Sequence, residues 1–189
     1  MNSAKKLNRS IVKHDAQWHQ SLKMGAVMVG MSILALCEMS AFSADLPSIT
    51  AKELPSLVAL YQDLHANPEL SLHEERTAGI ITKELREAGL EVTENVGGHG
   101  VVGVLKNGEG PVILVRTDLD ALPVKEQTGL PYASSLTTKD GLGREVPVMH
   151  ACGHDIHMAC FIGTARALSQ LRDQWSGTVV MIGQPAEER

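Results

Sequence analysis

The chain beyond residue 50 shows two kinds of hydrophobic spacing, one typical of helices and one typical of strands. Two segments with helical spacing follow a capping box, in which Thr or Ser precedes Glu by three residues. In the second of them, Ala78, Ile81 and Leu85 recur at intervals of three and four residues. A third helical segment lies nearer the C-terminus. The capping boxes are Thr50–Glu53 and Ser71–Glu74, and the predicted helices span 54–65, 73–88 and 155–171.

Four other segments have the pattern of β-strands. Residues 90–96 alternate loosely between apolar and polar, and residues 101–105 are apolar and β-branched. The runs at 111–115 and 177–182 are continuously apolar, which is typical of strands buried in a sheet. An Asn-Gly-Glu-Gly turn at 107–110 joins the second and third strands. This order of helices and strands predicts fold class α/β.

Two glycine-containing segments bear on function. Residues 98–103 match the Gly-x-Gly-x-x-Gly fingerprint of dinucleotide-binding folds, with Asp118 and Asp120 at a suitable distance downstream. That fingerprint requires a helix to begin at the glycines, whereas 101–105 has the pattern of a strand. We therefore predict a hairpin there and no dinucleotide site. Residues 123–149 are predicted to form a long loop, and loops of that length are usually functional.

The first 43 residues predict a secretory signal peptide. Residues 1–23 carry five Lys and Arg against one acid, and an apolar run follows at 24–37. That run is short for a bilayer span, so we expect no stable membrane anchor. Small residues at 40–44 predict cleavage before Ala44, a mature domain over 44–189 and a periplasmic or secreted location. An uncleaved anchor and a buried helix are the alternatives.

Composition and charge exclude two classes of protein. The 189 residues include 17 Lys and Arg against 22 Asp and Glu, a net charge of −5, and only 3% aromatic residues. Without residues 1–43 the balance becomes 12 bases to 20 acids, because five bases and two acids are removed. Nucleic-acid-binding domains normally carry a basic surface or aromatic stacking platforms, so we expect no nucleic-acid partner. Three cysteines are too few for a disulfide scaffold.

Two acidic residues follow the predicted strand at 111–115. Asp118 and Asp120 lie just beyond its carboxyl end, where α/β sheets commonly place functional groups. The alternation of a strand directs the two side chains to the same side. Solvated acids that cap a turn are the alternative.

The densest group of metal-binding side chains lies at 150–157, with three His, one Cys and one Asp within eight residues. Thiolate and imidazole are ligands for zinc and the later first-row metals. Cys152 and His154 stand two apart with a glycine between them, so they are able to converge on one ion. Asp155 and His157 open the following helix and are expected to orient the ligands. A redox thiol and scattered polar residues are the alternatives.

Adjacent carboxylates follow the predicted strand at 177–182. Glu187 and Glu188 point in different directions, so one is able to bind metal while the other handles the protons of water. A solvated pair is the alternative. The acidic pair, the His/Cys segment and the strand-end aspartates all follow apolar strands or adjoin such a loop. This shared placement strengthens the functional interpretation of all three groups.

Several motifs of this chain occur together in one known family. They resemble the dinuclear metallopeptidases and amidohydrolases that include hippurate hydrolase, aminoacylases and indole-acetyl-amino-acid hydrolases. The most specific motifs are Cys-Gly-His-Asp at 152–155 and Pro-Ala-Glu-Glu at 185–188, and the similarity covers nearly everything after residue 52. The matching positions are Leu64–Ser71, Glu75, Thr77, Arg116–Pro123, Met149–His157, Gly177–Val180 and Gln184–Glu188.

The resemblance implies a three-layer, zinc-peptidase-like catalytic domain and a role for five residues. It implies that Cys152, His154 and Glu188 are metal ligands. Glu187 resembles the general base that activates water for attack on the amide carbonyl. Asp120 resembles the acid behind the metal site that orients a ligand.

The implied cofactors are two divalent ions, Mn, Zn, Ni or Co. The implied reaction is hydrolysis of an N-acyl amino acid, a small molecule of the hippurate-like, N-acetyl or aryl-acyl type. Asp118 stands where other branches of the family have a ligand histidine. Its own role is left open, and it is grouped with Asp155 and His157 among the residues beside the ligands.

The chain departs from the family in its length. Family members continue for about as long again beyond the Pro-Ala-Glu-Glu motif. That part supplies two further histidine ligands, a lid (dimerisation) domain and groups that bind the substrate carboxylate. We therefore expect a truncated catalytic domain without the lid, little or no hydrolysis by this polypeptide alone, and a homodimer or tetramer only where the lid is present.

Two other functions are weighed against the enzyme. One is a catalytically inactive metal-binding or interaction module that retains only part of the site. The other is a thiol redox protein using Cys152 and Cys160, but eight residues is not a redox spacing and Cys160 lies in a predicted helix.

Overall fold

The computed structural model describes residues 45–189. The predicted signal peptide and its cleavage site lie outside these described residues. None of the described helices is long and apolar enough to cross a membrane. The elements, in chain order, are α1 (Leu46–Ala66), α2 (Glu75–Glu87), β1 (Glu91–Val96), β2 (Gly100–Asn107), β3 (Val112–Asp118), β4 (Thr137–Lys139), β5 (Glu145–Pro147), α3 (His154–Gln170), a 3₁₀ helix (Arg172–Gln174) and β6 (Gly177–Gln184).

Four of the strands form a mixed sheet in the order β1-β2-β6-β3. The β1–β2 and β2–β6 pairs are antiparallel, whereas β3 runs parallel to β6. The chain returns from β3 to β6 by way of α3, as a parallel connection requires a crossover. The hairpin predicted around 98–103 is the β1–β2 turn. The turn predicted at 107–110 also exists, but it does not close a hairpin, because β6 separates β2 from β3.

One hydrophobic core lies on a single face of this sheet. Alternate residues of β2 and β6 are buried there, including Val101 and Met181, while their neighbours are half-buried. Helices α2 and α3 pack on the sheet, and α1 packs on α3. The buried core residues are Leu64, Ala78, Ile81, Leu85, Leu90, Val101, Leu105, Leu119, Met158, Phe161, Ile162, Ala165, Val179 and Met181.

Both capping-box predictions are wrong. Helix α1 starts eight residues earlier than predicted, and its N-cap is Asp45, whose Oδ1 accepts from the Ser48 N–H at 2.8 Å. Thr50 lies inside α1, where its hydroxyl donates to the Leu46 carbonyl. Ser71 and Glu74 do not form a box at α2. Both side chains instead make contacts far along the chain, which are described below.

Two further predictions need correction. The 111–115 run forms a strand, but it is exposed, with Val112 at 71%, Ile113 at 56% and Leu114 at 59% of their full accessibility. The reason is its place at the edge of the sheet in the described part of the chain. The predicted loop at 123–149 contains a short antiparallel hairpin, β4–β5, which pairs Thr137 with Pro147.

Candidate metal centre

The three groups of polar residues meet where β3, β6 and α3 come together. Asp118 ends β3 and pairs with Gln184, which ends β6. His154 is the first residue of α3. Because the carboxyl ends of parallel strands meet at one edge of a sheet, the segments that follow β3 and β6 lie side by side. The structure therefore brings the three groups close together.

His154 is held with one ring nitrogen facing the acidic pair. Its Nδ1 lies 2.8 Å from the Asp120 carbonyl oxygen, and since a carbonyl only accepts, Nδ1 donates. Nε2 is then the nitrogen with a free lone pair. It lies 3.8 Å from Glu187 Oε2 and 3.8 Å from Glu188 Oε1. A histidine fixed in this way by its second nitrogen is the usual form of a metal ligand.

Asp118 lies close to His154 and Glu187. Donor atoms of Asp118, His154 and Glu187 all lie within 4.8 Å of one another. Asp118 Oδ2 accepts from Arg116 at 3.0 Å, whereas Oδ1 is buried and has no hydrogen-bond partner within residues 45–189. This group differs from the set implied by the resemblance, because it contains Asp118 and Glu187 in place of Cys152 and Glu188.

Cys152 reaches the acidic pair through a sharp bend. The bend is at Gly153, whose φ of +80° is accessible to glycine and strained for other residues. The thiol is exposed and hydrogen-bonds to Glu188. That bond raises the pKa of the Cys152 thiol, and the charges of Glu188, Glu187 and Asp120 act in the same direction.

Asp120 is fully buried behind these residues. Its Oδ2 accepts from the Ser71 hydroxyl at 2.6 Å and from the Glu188 N–H at 2.9 Å. Its backbone carbonyl, rather than its carboxylate, bonds His154, because Oδ1 lies 3.7 Å from Nδ1. Asp120 therefore fixes the backbone of one acidic residue and the ring of the histidine.

The donor set fits a divalent cation. Carboxylates, an imidazole nitrogen and a thiol are the donors that zinc and the neighbouring first-row metals accept. Asp118, Asp120, Glu187 and Glu188 bring four carboxylates close to the His154 imidazole, with Asp120 on the Nδ1 side and Glu187 and Glu188 on the Nε2 side. Acids at this spacing repel one another unless a cation lies between them. A cavity of about 140 Å³ borders Glu188 and is also lined by Ser71 and Pro123.

Comparison with known proteins identifies the family. Residues 114–189 match peptidase family M20/M25/M40. These residues belong to that family. The chain is 46% identical over 134 residues to the N-acetylcysteine deacetylase of Bacillus subtilis, covering 70% of this chain and 33% of that protein. It is 31% identical over 175 residues to the IAA-amino acid hydrolase ILR1-like 5 of Arabidopsis thaliana, covering 88% of this chain and 38% of that protein.

A solved member of the M20 family has the same fold. The YXEP protein of Bacillus subtilis, described as a dinuclear metal-binding peptidase, matches with a TM-score of 0.63 and 43% identity. The match covers 71% of this chain and 36% of that one. The predicted family and the mixed α/β class are therefore confirmed. The chain spans about a third of the length of the curated relatives it matches.

Asp155 and His157, both expected to orient ligands, lie in the first turn of α3 but in different surroundings. Asp155 is buried; its Oδ1 accepts from the Ile156 N–H, and its Oδ2 lies 2.6 Å from His65 Nδ1. His157 is exposed, and its ring centroid lies 6.3 Å from that of His154. The side chain of Asp155 thus connects α3 to α1.

His65 lies beside this site, and the sequence pattern assigned it no role beyond its motif. It bridges Asp155 and Glu126, whose Oε1 lies 3.0 Å from Nε2. Glu126 also accepts from the Ser134 N–H and the Thr128 hydroxyl, so the bridge ties the 123–149 loop to α3. Burial alone would lower the pKa of His65, but the hydrogen bonds and charges of Glu126 and Asp155 raise it.

His150 lies among the same buried groups. It is 4% exposed, and neither ring nitrogen has a hydrogen-bond partner in the described part of the chain. Burial is the largest influence and lowers the pKa of His150; His154 and His65 lower it as well, whereas Asp155 and Asp120 raise it, and the net pKa is about 4. Burial therefore favours the neutral form of the His150 imidazole.

Proposed function

We propose that this chain supplies part of the catalytic site of a metal-dependent amidohydrolase that acts on N-acyl amino acids. The observation that carries the proposal is the geometry at His154, whose free Nε2 faces Glu187 and Glu188 at 3.8 Å each. The names of two similar proteins, an N-acetylcysteine deacetylase and an IAA-amino acid hydrolase, support this substrate class.

Cys152, His154 and Glu188 are the proposed metal ligands, and the site is proposed to take two divalent ions, Mn, Zn, Ni or Co. Asp118 is an additional candidate donor, since one of its carboxylate oxygens lies within 4.8 Å of donor atoms of His154 and Glu187, and its buried Oδ1 has no hydrogen-bond partner in the described residues. Bound divalent ions would polarise the amide carbonyl and lower the pKa of the attacking water. The similarity to the YXEP protein, a dinuclear metal-binding peptidase, supports a site for two ions.

Glu187 is the proposed general base. Its side chain is 40% exposed, which leaves it open to water and substrate, whereas Glu188 is 17% exposed and fixed through its backbone by Asp120. Glu187 would take a proton from the attacking water and return it to the amide nitrogen as the carbon–nitrogen bond breaks. The products are a carboxylic acid and a free amino acid, so the atoms and protons balance.

The remaining expectations form part of the same proposal. The substrate is a small molecule of hippurate-like, N-acetyl or aryl-acyl type, and the 123–149 loop contributes to its selection. The protein is proposed to act in the periplasm or outside the cell. Hydrolysis is proposed to need the further ligands and lid found elsewhere in the family, so this polypeptide alone is expected to be nearly inactive.

A panel of N-acyl amino acids, assayed in turn with Mn²⁺, Zn²⁺, Ni²⁺ and Co²⁺, tests the proposal. The 189-residue chain and the product of the whole reading frame that contains it are assayed for release of free amino acid. We expect turnover by the whole product, lost by a factor of roughly 10³ or more in Glu187→Gln. Absence of turnover by the whole product with any of the four metals, or full activity in Glu187→Gln, would contradict it. Rapid turnover by the 189-residue chain would refute only the expected inactivity.

A further inference from the structure

A buried carboxylate joins the segment before α2 to the turn that carries the acidic pair. Glu74 is completely buried. Its Oε1 accepts from the Leu72 N–H at 2.9 Å and from the Ala186 N–H at 2.8 Å. The second bond spans 112 residues of sequence, so it is a tertiary contact rather than a helix cap.

Both residues held by this oxygen have an unfavourable backbone conformation. Leu72 has φ of +69° and Ala186 has φ of +55°. Residues with a Cβ atom are disfavoured in this left-handed region, where glycine is the common choice. A single oxygen atom therefore stabilises two strained residues, one on each side of the contact.

Ala186 determines how the acidic pair is presented, because it directly precedes Glu187 and Glu188. The other end of the turn is fixed by the bond from the Glu188 N–H to Asp120 Oδ2, which also accepts from Ser71. Glu74 thus holds the turn directly at Ala186, and Ser71 contributes indirectly through Asp120. A change at Ala186 would turn both glutamates away from His154.

We propose that Glu74 is a positioning residue, whose buried carboxylate keeps Ala186 left-handed and so directs Glu187 and Glu188 toward His154. The part of the proposal that concerns metal binding rests on the proposed function. The part that concerns the turn does not, since it follows from the hydrogen bonds alone.

The first test compares Glu74 variants of the full chain by Co²⁺ titration and by amide hydrogen exchange without metal. Glu74→Leu removes the acceptor, and we expect Co²⁺ affinity to fall by about 10- to 100-fold and exchange at the Ala186 N–H to accelerate. Glu74→Gln keeps an acceptor oxygen and should bind Co²⁺ within about threefold of wild type. Glu75→Leu changes the neighbouring exposed glutamate and is the matched control.

A second pair of variants leaves Glu74 and the core untouched. Ala186 is only half-buried, so its replacement does not threaten folding. Glycine adopts a positive φ readily, so Ala186→Gly should retain its affinity for Co²⁺. Valine is β-branched and disfavours a positive φ, so Ala186→Val should lower the affinity for Co²⁺ by about tenfold or more. If Glu74→Leu fails to fold, this pair still tests whether the left-handed conformation of Ala186 is needed for metal binding.

The outcomes distinguish the proposed metal-dependent function from the proposed positioning role of Glu74. If wild type does not bind Co²⁺, the proposed function fails, and the exchange rate at Ala186 alone decides the role of Glu74. If wild type binds Co²⁺ and folded Glu74→Leu binds it equally well with unchanged exchange, the positioning role is refuted. Equal affinity in Ala186→Gly and Ala186→Val would refute it as well.

Discussion

Replacing His65 with Ala should destabilise the domain more than any exposed substitution. The imidazole lies between two buried carboxylates, 2.6 Å from Asp155 and 3.0 Å from Glu126, with side-chain exposures of 6%, 3% and 1% for His65, Asp155 and Glu126. Its removal leaves both acids buried without their partner. Breaking a buried pair in this way costs about 3–5 kcal/mol.

Urea denaturation of the full chain measures this cost directly. Thermal denaturation is the second measurement. In a domain of this size, a loss of 1 kcal/mol lowers the melting temperature by roughly 2–4 °C, so the Tm of His65→Ala should be lower by roughly 10 °C. His73→Ala is the matched control, because His73 is exposed and its loss should change the unfolding free energy by less than about 0.5 kcal/mol. A loss below about 1 kcal/mol in His65→Ala would refute the bridge.

The same residue predicts a dependence on pH. Burial opposes the charged form, yet the bonds to Glu126 and Asp155 raise the pKa of His65 above its ordinary value near 6.5. A group with a raised folded pKa stabilises most below its unfolded pKa, and this contribution is lost as pH rises through the folded pKa. The difference in unfolding free energy between wild type and His65→Ala should therefore shrink above neutral pH. A constant difference would contradict this assignment.

Three further changes test other parts of the account. Gly153→Ala places a Cβ at φ of +80°, so it should cost about 1–2 kcal/mol and weaken metal binding by disturbing the bend before α3. Arg166→Met removes the bonds that join α3 to Glu53 on α1 and Glu84 on α2, and urea denaturation should show a loss of about 1–3 kcal/mol. Met181→Ala opens a cavity at a fully buried site of β6 and should cost about 2–5 kcal/mol in the same assay.

The first two of these changes have a matched control. Gly79→Ala lies within α2 with open space around the added methyl group, so it should stabilise by up to about 1 kcal/mol. Lys83→Ala breaks an exposed ion pair with Glu87 and should cost less than about 0.5 kcal/mol. If Gly153→Ala destabilises no more than Gly79→Ala, the argument from the bend at Gly153 is contradicted. If Arg166→Met destabilises no more than Lys83→Ala, the argument from the Arg166 bonds is contradicted.

Local patterns predicted the three α-helices and the four strands of the main sheet because each depends on residues close in sequence. The hairpin at 98–103 is an example, since the strand pattern of 101–105 outweighed a match to a dinucleotide motif. Whether the strand at 111–115 is buried or exposed could not be predicted in this way. An apolar run looks the same in a central strand and in one at the edge of a sheet, and the difference depends on the order of strands.

The residues of the site also differ in whether local sequence predicted their roles. Cys152, His154 and the acidic pair stand out because rare residue types recur at metal-binding spacings. Ser71 and Glu74 were misread as a helix cap because their spacing fits a local motif equally well. Their partners, Asp120 and Ala186, lie 49 and 112 residues away, so only the folded chain brings them into contact.

Co²⁺ titration of the full chain tests the central claim, that β3, β6 and α3 assemble one divalent metal site. We predict that wild type binds Co²⁺ with thiolate-to-metal absorption, that Cys152→Ser abolishes this absorption, and that His154→Ala weakens binding by about 100-fold. Cys160→Ser, which alters an exposed cysteine within α3, should behave as wild type. Absence of binding in wild type, or unchanged affinity in His154→Ala, would contradict the account.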